Sequence, residues 1–293
     1  MGIRRRLWCY AVLADPGSWF VPLLLLWVGI ALAIKGTGWK SFIWPFHPRG
    51  LFLILLLFLG AVNILEKSLE QMFRGATLEK RFMGSVSIFE AILVSVLLIV
   101  LGFQITAYKI TFFTFFTILV FASLVLFYLP PFSLKKRGII SNIFQAFLFG
   151  FLVPLWGSSL LKPFPRLDVI FVGTIFLNYL FGVYLTRDYI NSLKTTPKGL
   201  EKNLFAEFKK WELILIALFI TLPFLFLPLG IYFHIIQGQI AFIAGLGFVL
   251  FLYGLLILIY FMRLKEINRG NLAKIQFHLF VILIIAVIFL VRF

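Results

Sequence analysis

The chain is a succession of long apolar runs separated by short polar intervals, and this pattern leaves few possible folds. Runs of membrane-spanning length lie near residues 17–34, 50–65, 85–106, 110–130, 138–158, 167–186, 211–230, 238–262 and 273–291. About 17 to 25 apolar residues are enough to cross the hydrocarbon core of a bilayer as a helix. We therefore predict an all-α polytopic membrane protein with about nine transmembrane helices.

The composition agrees with lipid as the main solvent. Hydrophobic residues make up 62% of the 293 residues, charged residues 13%, and the mean hydropathy is +1.07. A water-soluble domain needs a more polar exterior than this. In hydrocarbon every backbone amide must be satisfied internally, so uninterrupted apolar runs are expected to be helical. We expect residues 1–293 to form a single integral membrane domain in contact with membrane lipids.

The formal net charge of +16 is read here as an orientation signal rather than as a nucleic-acid surface. Base-reading motifs are missing from the sequence, so nucleic acid is not an expected partner. If the runs alternate across the bilayer, 20 of the 27 Lys and Arg residues fall on the side of the N-terminus. Basic residues concentrate in cytoplasmic loops. This predicts a cytoplasmic N-terminus and a C-terminus on the opposite side.

Acidic residues are concentrated in two polar segments, 66–84 and 187–210, that the same count places on the cytoplasmic side. Seven of the 11 Asp and Glu residues lie in these segments or at their borders. Orientation requires basic residues and not acidic ones, so this concentration favours a binding site for a cation or a polar ligand. The single cysteine, Cys9, excludes a cysteine-based metal site.

The first segment continues the second apolar run with helical spacing. One stripe of that helix carries Asn63, Glu66, Lys67, Glu70 and Arg74. Two carboxylates one turn apart can bind Mg²⁺, which prefers oxygen ligands and retains part of its water shell. The alternative is an interfacial helix end whose charges simply pair with one another at small stabilisation.

The second segment follows the sixth apolar run. Asp188 and Asn191 lie one turn apart, and Lys194, Lys198 and a Pro-Gly break follow them. The alternative is a basic cytoplasmic loop with no ligand.

At the start of the chain, Asp15 precedes Pro16 and is expected to cap the first helix. Glu90, in the third run, is either an intramembrane site residue or a residue near the interface.

These two segments resemble the paired Asp-rich motifs of the UbiA superfamily of intramembrane prenyltransferases, which have nine helices. Asn63, Glu66 and Glu70 lie at the three Asp positions of the first motif, which follows helix 2. The second motif follows helix 6, and its positions are matched by Asp188, Asn191, Thr195 and the trailing Gly199. The similarity extends to Lys136-Arg137-Gly138 at the start of helix 5, and to Pro154 and Gly157 near its end.

The resemblance implies a UbiA-like helical bundle that transfers an isoprenoid chain from a polyprenyl diphosphate to a small cyclic or aromatic acceptor. It makes Glu66, Glu70 and Asp188 the catalytic residues, which hold Mg²⁺ with help from Asn63 and Asn191. The diphosphate would be bound by the neighbouring basic residues, which are Lys67, Arg74, Arg187, Lys194 and Lys198. These roles require the ends of helices 2 and 6 to meet on the inner face of the bilayer.

Three carboxylate positions of the motifs are occupied by Asn63, Asn191 and Thr195, and this departure supports a second hypothesis. A UbiA-like protein could bind isoprenoid or quinone lipids without performing chemistry on them. A third hypothesis is a transporter, for which charges near mid-membrane are typical. Glu90 is the one residue that suits it, since the other charges lie at predicted helix ends.

Overall fold

A computed structural model describes residues 10, 13–34, 48–74, 86–106, 112–130, 132–159, 167–195, 204–233, 240–263 and 269–292. These residues form nine long helices, with short 3₁₀ turns at Pro16–Trp19 and Leu134–Lys136. The helices are α1 (Phe20–Ile34), α2 (Pro48–Arg74), α3 (Ile88–Thr106), α4 (Phe112–Tyr128), α5 (Ile139–Ser159), α6 (Leu167–Thr195), α7 (Leu204–Tyr232), α8 (Ile240–Arg263) and α9 (Arg269–Arg292).

The predicted all-α membrane fold is confirmed, because each described helix coincides with one apolar run of the sequence. Four helices are long and apolar enough to cross a bilayer by themselves, at Gly50–Glu70, Ile88–Thr106, Ile139–Ser159 and Leu167–Asp188. The other five contain apolar stretches of 10 to 17 described residues. The protein is an integral membrane protein.

The described helix α3 has a large apolar surface that is suited to lipid. It has the highest mean hydropathy of the four long spans, 2.5, yet only 17% of its window is buried inside the protein. Phe89, for example, is 76% exposed. An apolar face of this size would be unstable in water, so it faces the hydrocarbon of the bilayer.

The chain packs as two compact units, and the division between them falls within α5. Unit 1 comprises Met1–Arg137 and Leu152–Pro165, and therefore contains α1 to α4 and the end of α5. Unit 2 comprises Gly138–Phe151 and Arg166–Phe293, with the beginning of α5 and α6 to α9. The expectation of a single domain over 1–293 stays a prediction.

Unit 1 is held together by aromatic packing and by close helix approach. The rings of Phe58 on α2, Phe103 on α3 and Phe121 on α4 have centroids 5.0 to 5.1 Å apart. The indole N–H of the buried Trp156 donates a 2.9 Å hydrogen bond to the Thr117 hydroxyl. Gly29 on α1 lies directly against the Pro154 backbone of α5. Small residues allow membrane helices to approach this closely.

Helix α5 contains a π-helical turn, at Phe147–Leu152, immediately before Pro154. Proline has no N–H for the helical ladder, and its ring collides with the carbonyl one turn earlier. Widening the preceding turn relieves this conflict, and π turns are one of the recognised causes of irregular helices.

In unit 2, α7 packs between α6 and α8, and α9 contacts both α8 and α6. The first part of α5 also packs on α6, where a Cβ at Gly150 would lie 2.7 Å from the Leu177 backbone. The Tyr179 hydroxyl of α6 donates a hydrogen bond to the Leu279 carbonyl of α9. These contacts fix the position of the C-terminal part of α6, which carries Asp188.

Candidate functional site

The end of α2 carries the first group of predicted site residues. Helix α2 continues to Arg74, so Asn63, Glu66, Lys67 and Glu70 follow one another on a continuous helix, as the sequence predicted. Glu66 is almost completely buried, with 4% of its surface exposed, while Lys67 and Glu70 are half-buried. The side chain of Arg74 lies outside the described residues.

Asn63 is buried and anchors the segment that precedes α1. Its Nδ2 donates a 2.9 Å hydrogen bond to the backbone carbonyl of Ala14, and Ala14 packs in a small apolar cluster with Ile64 and Ala91. The amide nitrogen therefore has a structural role, and a role of Asn63 as a metal ligand stays a prediction.

Glu66 is paired with a lysine that the sequence did not single out. Lys135 Nζ lies 3.0 and 3.2 Å from the two carboxylate oxygens of Glu66, and 4.8 Å from the centroid of the Tyr128 ring. Burying a carboxylate is costly unless a cation and hydrogen bonds compensate it. Lys135 supplies both, so Glu66 is held as a charged acceptor beside a half-exposed ammonium group.

The second group of residues lies at the end of α6, in unit 2. Arg187 Nε is 3.5 Å from Asp188 Oδ1, and the guanidinium carbon lies 5.2 Å from the Tyr184 ring centroid. The side chains of Asn191 and Lys194 lie outside the described residues, as does the whole of Lys198. Arg187 and Asp188 therefore carry the described geometry of this motif.

Asp188 also has a partner on α5. Asn142 Nδ2 donates a 2.7 Å hydrogen bond to Asp188 Oδ2. Asn142 is 1% exposed, and its Oδ1 has no hydrogen-bond partner among the described residues. Asp188 Oδ2 thus accepts a hydrogen bond from the Asn142 amide, and Asp188 Oδ1 faces the Arg187 guanidinium. The buried Oδ1 of Asn142 belongs to the same amide group.

This donor set fits a hard divalent cation such as Mg²⁺, which takes carboxylate and amide oxygens. Within the described part of either unit, no three His, Cys, Asp or Glu side chains cluster closely enough to hold a metal. Any ion at Asp188 would therefore be completed by amide oxygens, water or the oxygens of a bound substrate.

Unit 2 also contains an apolar groove of about 420 Å³. Its walls come from α5, α6 and α7, and include Ile140, Phe144, Phe147, Phe181 and Phe219. A groove lined by such side chains suits a hydrocarbon chain.

Two remaining sequence predictions can be placed. Glu90 lies in the first turn of α3, where its backbone N–H donates a 3.0 Å hydrogen bond to the Ser87 hydroxyl; this is the helix-end position and not mid-membrane. The predicted cap by Asp15 is wrong, because its side chain makes no capping bond. Its backbone adopts φ +50° instead, and the carbonyl accepts hydrogen bonds from Ser18 N and Oγ.

Lys135 and Asn142 are the site residues that sequence reasoning missed. Lys135 lies next to Lys136-Arg137-Gly138 in a short basic tract, and the sequence indicates only an orientation signal there. Asn142 could have been found from the sequence. It is an amide in the run Ile139-Ile140-Ser141-Asn142-Ile143-Phe144, and burying an amide side chain in a membrane helix costs free energy unless it has a hydrogen-bond partner.

The chain matches no protein-family model, and no curated protein matches it. Among solved structures, it is similar to a digeranylgeranylglyceryl phosphate synthase studied in membranes. The similarity covers 98% of each chain with a TM-score of 0.70 and 16% sequence identity. The helical-bundle fold that the sequence resemblance implied is thereby confirmed, and the chain shares this fold with the synthase.

Proposed function

We propose that the protein is an intramembrane prenyltransferase that moves an isoprenoid chain from a polyprenyl diphosphate to a small cyclic or aromatic acceptor. The observation that carries the proposal is the fold likeness to a digeranylgeranylglyceryl phosphate synthase over 98% of both chains. Two hydrogen-bonded carboxylates support it, the buried Glu66 at the end of α2 and the partly exposed Asp188 at the end of α6.

Mg²⁺ is the cofactor that the residues favour. At the end of α2, Glu66 and Glu70 would supply carboxylates and Asn63 an amide oxygen. At the end of α6, Asp188 would supply a carboxylate and Asn191 an amide oxygen. When bound, the ion neutralises the diphosphate leaving group, whose charge grows as the allylic C–O bond breaks. The carboxylates in turn are held in place by Lys135 and Asn142, so that little reorganisation is needed when the substrate enters.

The basic side chains at the two helix ends are suited to the diphosphate. Arg187 offers a planar fork of donors that matches phosphate oxygens, and Lys67 is within one turn of both Glu66 and Glu70. We assign Arg74, Lys194 and Lys198 to the same role from their sequence positions. Lys135 joins this group, because its ammonium lies 3.0 Å from Glu66 and its side chain is half-exposed.

The allylic cation formed by ionisation needs a dry, apolar environment that excludes water. The apolar groove in unit 2 supports a hydrocarbon substrate, since it lies on the same helices that carry Asn142 and Asp188. We further propose that the N-terminus is cytoplasmic and the C-terminus lies on the opposite side, from the distribution of Lys and Arg.

The experiment is a matched pair of carboxylate substitutions on one helix. Purified protein with Mg²⁺ and labelled polyprenyl diphosphates of several chain lengths is assayed for release of diphosphate. Asp188→Asn should lower kcat/KM by at least about a hundredfold, as expected when a group that stabilises developing charge is removed.

Asp168→Asn is the control. Asp168 is buried at the opposite end of α6, where its Oδ1 accepts the Val169 N–H, and Asn can occupy the same position at a helix start. It should leave turnover unchanged. An equal loss in both variants, or no diphosphate release by the unmodified protein with any donor, would contradict the proposal.

The second candidate is a UbiA-like protein that binds isoprenoid or quinone lipids without chemistry. The observation that favours it is the pairing of Glu66 with Lys135, which neutralises one motif carboxylate from within the chain. In that case ligand binding survives in Asp188→Asn and Glu66→Gln, and no diphosphate is released. Transport is less favoured, because Glu90 lies in the first turn of α3 and not near the middle of the span.

A further inference from the structure

The starting observation is an unsatisfied acceptor in the interior of unit 2. Asn142 is 1% exposed, its amide nitrogen is engaged by Asp188, and its Oδ1 has no partner in the part of the chain that the structure describes. A buried carbonyl without a donor costs free energy, and such groups in native proteins normally have a reason.

The orientation of the Asn142 amide follows from its neighbour. Exchanging Nδ2 and Oδ1 would place a carbonyl oxygen 2.7 Å from a carboxylate oxygen of Asp188, and two acceptors at that distance repel each other. The hydrogen-bond network therefore sets Nδ2 toward Asp188. Oδ1 is consequently an acceptor whose donor is not found among the described side chains.

We propose that Asn142 is a positioning residue: its NH₂ group holds Asp188, and its Oδ1 accepts a hydrogen bond from water bound to a divalent cation at Asp188. This deepens the proposed function and rests on it. Water bound to Mg²⁺ donates hydrogen bonds strongly and cannot accept them. It is therefore the kind of donor that Asn142 Oδ1 lacks among the described residues. Hydrogen bonds from such outer groups to ligating carboxylates are the rule in metal sites.

The test measures Mn²⁺ binding to the purified full chain by electron paramagnetic resonance, with and without inorganic diphosphate. Asn142→Leu removes both donor and acceptor and should weaken Mn²⁺ binding about tenfold, as substitutions of outer hydrogen-bonding partners do. Thr174→Val is the matched control, since the exposed Thr174 hydroxyl donates to the Ile170 carbonyl of its own helix; it should bind Mn²⁺ like the unmodified protein.

A second readout separates this role from mere packing. With the transferase assay, Asn142→Leu should need about tenfold more Mg²⁺ for half-maximal rate but reach the normal kcat at saturation. A purely structural role would lower kcat and leave the Mg²⁺ dependence unchanged, which would overturn the inference.

Asn142→Asp keeps the proposal testable if the leucine variant does not fold. Two adjacent carboxylates repel until a cation lies between them, so Mn²⁺ should raise the Tm of this variant by more than it raises that of the unmodified protein. An equal Mn²⁺ shift, or no Mn²⁺ binding by the unmodified protein, would overturn the inference. Normal Mn²⁺ results without prenyl transfer would instead refute the transferase proposal and leave the Asn142 role standing.

Discussion

At the scale of single residues, each of the two helix ends carries a carboxylate that is held by an ammonium or an amide group. Glu66 is nearly inaccessible, yet both of its oxygens are bonded to Lys135, whose side chain is 46% exposed. Asp188 is held in a similar way by Asn142. The pairing makes charged carboxylates tolerable within an apolar bundle, because each has a donor before any ligand arrives.

Replacement of Lys135 by Met should therefore destabilise the protein even without substrate. The Glu66 carboxylate would stay buried without the Lys135 ammonium, and we expect a loss of about 1–3 kcal/mol in the free energy of unfolding. Glu66→Gln should cost less, since a neutral amide is cheaper to bury. Thermal unfolding in detergent, followed by the loss of helical circular dichroism, measures both effects.

Lys274→Met is the control for that experiment, because Lys274 is an exposed lysine on α9. It should unfold like the unmodified protein, as exposed charges contribute little to stability. If Lys135→Met were as stable as this control, the Glu66–Lys135 bond would not support the fold, and its importance would lie in ligand binding alone.

At the scale of helices, close contact between backbones decides where unit 1 places α1. A side chain on Gly29 would collide with the backbone of Pro154, and one on Gly157 would lie 2.8 Å from the Leu26 carbonyl. Association of membrane helices depends on packing, because lipid is as apolar as the helix surface. The α1–α5 contact thus requires glycine on both helices.

Gly29→Ala should consequently lower thermal stability, since one methyl group has no space and the backbones must separate. Overpacking of this kind costs about 1–3 kcal/mol. Gly245→Ala is the matched control, because nothing lies within 4 Å of a Cβ at this position in α8. The control should be as stable as the unmodified protein or slightly more so, since Ala favours the helix. Equal behaviour of the two variants would contradict close α1–α5 packing.

Across the entire protein, the sequence predicts what depends on local hydropathy. The fifth run, expected at 138–158, is Ile139–Ser159, and the sixth begins at residue 167 as expected. The contact of Lys135 with Glu66 joins positions 69 residues apart, and that of Asn142 with Asp188 joins positions 46 apart. Such pairs depend on how helices pack against one another, and no local pattern in the sequence specifies that.

The orientation in the bilayer is a property of the full chain and can be tested by labelling from one side. The test needs two exposed positions that are expected on opposite sides of the bilayer. Met72, near the end of α2, is 51% exposed, and Tyr232, at the end of α7, is 72% exposed. The basic-residue count places Met72 on the cytoplasmic side and Tyr232 on the other. In a Cys9→Ser background, Met72→Cys should react with a membrane-impermeant maleimide only in inside-out vesicles, and Tyr232→Cys only in right-side-out vesicles. Reaction of both from the same side would mean that the helices between them do not alternate as counted. The reverse pattern would place the α2 and α6 carboxylates on the outer face.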